Sequence, residues 1–370
     1  MLSAETLLTR AQDFCGLHDF GSDLVSRGLH ELVEGLETSS RLKPEGRGVI
    51  SWSILQALVH RLELEHLRQE SPDALTGPRR APWIVTGMPR SGTTFLHRLL
   101  SLDPDHRGLT FAEIMRPFPS RASSQDREIL ERTLSIFAAQ LPELEKKHSL
   151  TSTEAEECGV LLDPSMVTPN FGIFADTGSY EVFRRSQDPR VPYQVYRELL
   201  GQIEAADPRR LVLKAPVHLG AVGTLLETWP NLKIIVLERD PVTSLTSLFS
   251  LVKSFWNYCT EGVDEARLVH GLIEAQSYAV ERFRTAEPHL PPQQWIRVGF
   301  ADLVGDPSGT LRRIYTHFGE ELPPERVATF EQIGNLARKQ RPGEHNYALP
   351  EGGPSAEEIR ATFPGWGPGS

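Results

Sequence analysis

Eight consecutive residues, Gly87-Met88-Pro89-Arg90-Ser91-Gly92-Thr93-Thr94, hold the most chemistry per position in this chain. They follow the strand-type triplet Trp83-Ile84-Val85 and open a helical pattern, Thr93–Leu102. A strand–loop–helix aims unpaired backbone N–H groups and the positive end of a helix dipole at one point, which makes an anion site. Gly92 lets the backbone come close to a ligand. Ser91, Thr93 and Thr94 add hydroxyl donors, and Arg90 adds a forked cation. The spacing Gly87-x-x-x-x-Gly92 matches a P-loop, but a nucleotide triphosphatase places Lys directly after the second glycine. Thr93 stands there instead, and the cation has moved to Arg90 inside the loop. The loop is expected to cradle a phosphate without the usual partner of a γ-phosphate.

A second anion site is expected at Lys233-Ile234-Ile235-Val236-Leu237-Glu238-Arg239-Asp240-Pro241. The apolar strand ends in Arg-Asp-Pro and a helix begins at once, with Asp240 suited to an N-cap and Pro241 to the first turn. Arg239 then sits at a strand tip, and Ser247 lies eight residues on, roughly two helical turns into the helix. Alone, the motif is equally well a structural Arg–Asp pair. Beside the first loop, it predicts a ligand with two separated phosphate groups.

The elements that must position these residues follow from periodicity. Short apolar runs at Trp83–Val85, Leu211–Leu213, Lys233–Leu237 and Trp295–Val298 alternate with helical patterns at His218–Trp229, Val242–Phe255 and Ser308–Phe318. Strands alternating with helices indicate a parallel sheet covered on both faces, an α/β fold. Residues 1–80 read as a helical N-terminal extension closed by the breaker-rich Ser71–Pro82, and 111–207 as a largely helical insertion with a helix at Arg127–Leu141. The insertion is expected to cover the carboxyl edge of the sheet, where crevices of open α/β sheets lie. Residues 338–370 form a Gly- and Pro-rich tail that either folds over the site or stays on the surface. The whole chain, 1–370, reads as one domain.

Composition narrows the function classes. A net charge of −10 over 370 residues argues against a general nucleic-acid surface, which needs a basic face. The three cysteines, Cys15, Cys158 and Cys259, are too scattered for a metal cluster or a disulfide framework. Met1 to Gly16 lacks the basic and apolar regions of a secretory signal, and no apolar run approaches the ~18 residues of a membrane span. A cytoplasmic protein is the expectation.

Taken together, these segments resemble the PAPS-dependent sulfotransferases of the bacterial branch, PAPS being 3′-phosphoadenosine-5′-phosphosulfate. Pro89-Arg90-Ser91-Gly92-Thr93-Thr94 resembles the 5′-phosphosulfate loop, and Arg239 with Ser247 the 3′-phosphate site. Lys214-Ala215-Pro216-Val217-His218-Leu219, Thr153–Cys158 and Gly343-Glu344-His345-Asn346-Tyr347 also look like segments of that branch. The resemblance spans roughly residues 80 to 350. It implies the P-loop-like three-layer sandwich of the sulfotransferase fold, PAPS as donor, PAP as product, a hydroxyl or amine of a small molecule as acceptor, and no metal. Two departures stand out: Arg90 replaces the loop Lys of many animal enzymes, and Phe300 in Phe300-Ala301-Asp302-Leu303 replaces the Tyr that lines the adenine pocket.

Sulfuryl transfer to a hydroxyl needs a base, because the hydroxyl's own pKa is far above 7. The candidates are Glu113, His218, His148 and His345, and the resemblance favours Glu113. The ordinary alternative for Glu113 is an ion pair with Arg116, and for His218 a polar helix start. Lys214 is a donor- or acceptor-binding candidate, or a structural cation. Thr153-x-x-Glu156 reads as a capping box, leaving Glu157 as an acceptor-site candidate. A small-molecule kinase and a non-catalytic nucleotide-binding module on the same fold are the rival readings. No motif names the acceptor or the oligomeric state.

Overall fold

The computed structural model describes residues 1–119, 124–140, 151–323, 326–327, 330 and 349–367. His148, His345 and the segment 343–347 lie outside the described residues. Five strands form one parallel sheet: β1 Trp83–Gly87, β2 His106–Arg107, β3 Arg210–Lys214, β4 Lys233–Glu238 and β5 Trp295–Gly299, in the order β2-β3-β1-β4-β5. The four strands expected from apolar runs are present. The two-residue β2 is too short to leave a pattern in the sequence. β1 is buried along its whole length, as a central strand covered on both faces must be.

Alternate strand residues enter opposite layers. Ile84, Leu213, Ile234 and Val236 pack with Tyr193, Tyr196, Leu225 and Phe283 on one face. Trp83, Val85, Val212, Ile235 and Leu237 pack with Leu96, Leu99, Leu311 and Ile314 on the other. The result is the three-layer α/β sandwich. Register sets the site: Val85 pairs with Lys214 and Gly87 with Leu237, so the tips of β3 and β4 flank the loop that leaves β1.

The N-terminal helices Ala4–Cys15, Asp23–Ser39 and Pro44–Glu70 build a separate core with Met166, Phe171 and Tyr180 of the insertion. Two glycines permit that contact. A Cβ on Gly28 would lie 2.5 Å from the Met166 carbonyl oxygen, and one on Gly35 2.0 Å from that of Thr177. The insertion contains the helices Phe111–Met115, Ser124–Gln140, Tyr180–Ser186 and Arg190–Glu204, with 3₁₀ stretches at Cys158–Ser165 and Asn170–Ile173.

Two local expectations are corrected. Thr153–Glu156 does not open a helix: Ala155 bridges Thr110 in an antiparallel pair, and the Glu156 N–H donates to the Leu109 carbonyl at 2.8 Å. Backbone pairing there claims the donors that a cap would have served. The helix expected at His218 starts as a 3₁₀ stretch, Pro216–Ala221, and becomes α-helical only over Val222–Thr228.

In the tail, the helix Ala356–Thr362 carries a Ser355/Glu358 capping box, and Ile359, Phe363 and Trp366 are buried in the main core. Among the described residues, no helix is long and apolar enough to cross a membrane.

Gly35→Ala should lower the melting temperature. Helix propensity favours Ala by about 1 kcal/mol, but overpacking against a fixed backbone oxygen costs about 1–3 kcal/mol or more. Gly48, in the helix Pro44–Glu70 with open space around its missing Cβ, is the control. Gly48→Ala should raise the melting temperature, and calorimetry of both variants checks the pair.

Candidate functional site

The loop after β1 turns through two left-handed residues, Arg90 at φ 67° and Gly92 at φ 95°. Gly92 is obligatory on two counts: its φ disfavours a side chain, and a Cβ would sit 2.8 Å from Phe300 Cδ2. The helix Thr93–Leu100 then starts with Gly92 as N-cap, so no cap side chain takes up the first N–H groups. The Ser91 hydroxyl is buried and has no hydrogen-bond partner among the described residues. A buried polar group without a partner is costly, and an anion seated on these donors would relieve it. The cradle fits a phosphate or sulfate group.

Arg239 follows β4, and Asp240 caps the helix Pro241–Cys259 by accepting from the Thr243 N–H at 3.2 Å. The Arg239 guanidinium donates to the Arg90 carbonyl at 2.9 Å and lies over the Phe300 ring, 4.1 Å from its centroid. Ser247 faces the loop, and its Oγ accepts from Arg90 Nε at 3.0 Å. Arg90, Ser247, Arg239 and Phe300 therefore form one contiguous patch. Among the described residues, Arg90 has no carboxylate partner.

A cavity of about 1520 Å³ has Arg90, Gly92, Thr93, Thr94, Arg239 and Phe300 of this region on its wall, together with Glu157, Asp163 and Tyr193. Lys214 is wholly buried behind Glu157, its Nζ 2.6 Å from Glu157 Oε1. Lys214 pairs in register with Val85 of β1, and through its ion pair it fixes the Glu157 carboxylate on the cavity wall.

Of the four candidate bases, the two that fall among the described residues, Glu113 and His218, are not on the cavity wall. Glu113 belongs to a capping box: one oxygen accepts from the N–H and hydroxyl of Thr110 at 2.8 and 2.9 Å, and the other accepts from Arg107 Nη1 at 2.6 Å. Its ion-pair partner is Arg107 rather than Arg116, and it is not on the cavity wall. Helix-capping geometry thus holds this carboxylate away from the loop. His218 is buried behind Tyr193, with Nδ1 3.0 Å from the Tyr193 hydroxyl and Nε2 3.4 Å from Tyr196 Oη and Cys158 Sγ. Burial pulls its pKa down to about 3, so it is neutral and a weak base at ordinary pH.

Asp163 carries no sequence signal that would have found it. It sits in an apolar 3₁₀ stretch, 3% exposed, on the cavity wall, with Oδ1 accepting from Asn170 Nδ2 at 2.7 Å. Burial pushes its carboxyl up to about 7, against hydrogen bonds from Asn170 and Thr168 that lower it.

The parallel sheet, the P-loop-like cradle and the Arg–Asp–Pro element define a sulfotransferase fold. A sequence model of the sulfotransferase family matches residues 82–324, and the chain belongs to that family. Over 98% of its length it superposes on 99% of the crystal structure of sulfotransferase STF1 from Mycobacterium tuberculosis H37Rv, with TM-score 0.84 and 28% identity. Sulfotransferase STF9 from Mycobacterium avium shares the fold at TM-score 0.82 and 23% identity, with 98% of this chain and 95% of that one covered. Omega-hydroxy-beta-dihydromenaquinone-9 sulfotransferase Stf3 of Mycobacterium tuberculosis is 25% identical over 253 residues, 64% of this chain. That match spans 62% of the relative's length.

Asp163 makes stability depend on pH. Its folded pKa is raised, so the unfolded state loses the proton first, and stability falls as pH rises from about 4 to about 7. Asp163→Asn keeps the hydrogen bond from Asn170 and removes the buried charge. It should raise the melting temperature at pH 8 relative to the parent and change it little at pH 3.5, as read by thermal denaturation at the two pH values.

Proposed function

We propose that this chain is a PAPS-dependent sulfotransferase that moves a sulfuryl group to a hydroxyl of a small-molecule acceptor. The observation that carries this reading is the meeting of the two anion sites: Ser247 and Arg239 both bond the Arg90 residue on the wall of a large cavity. A nucleotide with phosphate groups at its 5′ and 3′ positions suits two cation clusters joined so closely. The loop N–H groups, Ser91, Thr93, Thr94 and Arg90 suit the 5′-phosphosulfate, Arg239 and Ser247 the 3′-phosphate, and Phe300 the adenine. The relative Stf3 is named for an omega-hydroxy acceptor, which favours a hydroxyl over an amine.

In this reading the acceptor oxygen attacks sulfur in line with the bridging oxygen. The new S–O bond forms as the bond to the 5′-phosphate breaks, and PAP leaves with the electron pair. Arg90 and the loop amides stabilise the charge that grows on the leaving phosphate, a preorganised electrostatic role. Glu157 takes the acceptor proton. It lines the cavity, and Lys214 fixes its orientation there. Glu113 is not assigned this role, because its oxygens are committed to Thr110 and Arg107. His218 supports the cavity wall through Tyr193.

Arg239→Ala should weaken PAP by roughly ten- to a hundredfold, the value of a lost charge-assisted bond, and weaken 5′-AMP much less. Calorimetric titration of both nucleotides decides, and equal weakening would make Arg239 structural. Glu157→Gln should cut kcat by ~10²-fold or more with PAP affinity retained. Glu113→Gln should leave turnover near the parent value while lowering the melting temperature. The opposite pattern in steady-state rates would return the base to Glu113.

A further inference from the structure

Arg239 and Phe300 leave the sheet at the same level. Glu238 at the end of β4 pairs with Gly299 at the end of β5, so each is the first residue beyond the paired strands. Phe300 opens the short helix Phe300–Gly305. Its half-buried ring lies on the cavity wall with Arg90, Gly92 and Arg239.

The ring touches both anion elements. The Arg239 guanidinium lies over its face, 4.1 Å from the centroid. On the loop side, a Cβ added to Gly92 would fall 2.8 Å from Phe300 Cδ2 and 3.0 Å from Cε2. The missing side chain at Gly92 therefore lets the ring close on the loop backbone. The same guanidinium donates from Nη1 to the Arg90 carbonyl at 2.9 Å. A planar group bonded at one edge and stacked on one face is fixed in direction by the bond and in plane by the ring. Its remaining N–H groups keep a set aim. A free arginine side chain loses rotamer freedom when it binds an anion, and one already fixed loses less.

From this geometry we propose that Phe300 is a positioning residue for Arg239: its ring holds the guanidinium against the loop and so sets the preference for a nucleotide with a 3′-phosphate over one without it. The inference rests on the proposed donor site and adds a specificity-determining residue to it. A base stacked on the ring uses the face that Arg239 leaves open. The two roles separate by ligand. Loss of a base stack weakens every adenine nucleotide alike, whereas loss of support for the guanidinium weakens only those with a 3′-phosphate.

The test is calorimetric titration of PAP and of 5′-AMP into the parent, Phe300→Leu and Phe300→Met. Both replacements are apolar and lack an aromatic face, so either suffices if the other does not fold. The expected result is a fall of roughly two- to thirtyfold in the preference for PAP over 5′-AMP, the range of a cation–π contact from exposed to desolvated. Phe300→Tyr, which returns an aromatic face, should restore the preference. In an Arg239→Ala background, Phe300→Leu should no longer change it, because the group it acts through is gone. An unchanged preference in a folded variant, or an excess effect on PAP that survives in Arg239→Ala, overturns the inference and leaves Phe300 to the adenine alone. A parent protein that binds PAP no tighter than 5′-AMP overturns the donor-site reading itself.

Discussion

Arg239 donates to the main-chain carbonyl of Arg90 across the gap between the tip of β4 and the loop that leaves β1. The rest of the site depends on this contact. Arg90 adopts a left-handed backbone, a conformation that L-residues other than glycine rarely hold. It persists because Arg239 fixes its carbonyl and Ser247 its side chain. Two guanidinium groups are thereby drawn to the wall of a cavity, beside a buried hydroxyl without a partner among the described residues. Like charges gathered in this way repel, and an anion between them turns that repulsion into binding. Folding stability is spent on a preorganised anion site.

The insertion and the N-terminal helices serve that end from a distance. Most of the apolar surface of the three N-terminal helices packs away from the sheet, and Leu64 of the third joins the main core. These helices brace the insertion through close approaches at Gly28 and Gly35, and the insertion supplies part of the cavity wall. The tail helix Ala356–Thr362 braces the other side, with Arg360 paired to Asp240 at 3.1 Å. The same Asp240 caps the helix that carries Ser247, so this exposed ion pair meets the second anion element at its start.

Burial sorts the ionisable groups by role. His218 and His97 are wholly enclosed and held neutral, with pKa values pulled down to about 3. They act as packing and hydrogen-bonding groups. Lys214 is equally enclosed but keeps a carboxylate partner at 2.6 Å, the arrangement a buried charge requires. Glu157 shares that pair from the open side, so it combines a fixed position with access to the cavity.

The parallel sheet, the loop and the Arg-Asp-Pro element were legible in the amino-acid sequence. Strand runs, glycine spacing and helix caps are local, and each is written within about ten residues. Glu113 shows where local reading stops: its type and position suited a base, yet a capping box with Thr110 and an ion pair with Arg107 claimed both oxygens. Glu157 and Asp163 gained their importance from Lys214 and Asn170. Local spacing thus determined which residues could bind an anion. Only the register of β1 with β3 and β4, and the packing of the insertion over them, decided which carboxylates line the cavity, because exposure and proximity are properties of the whole fold.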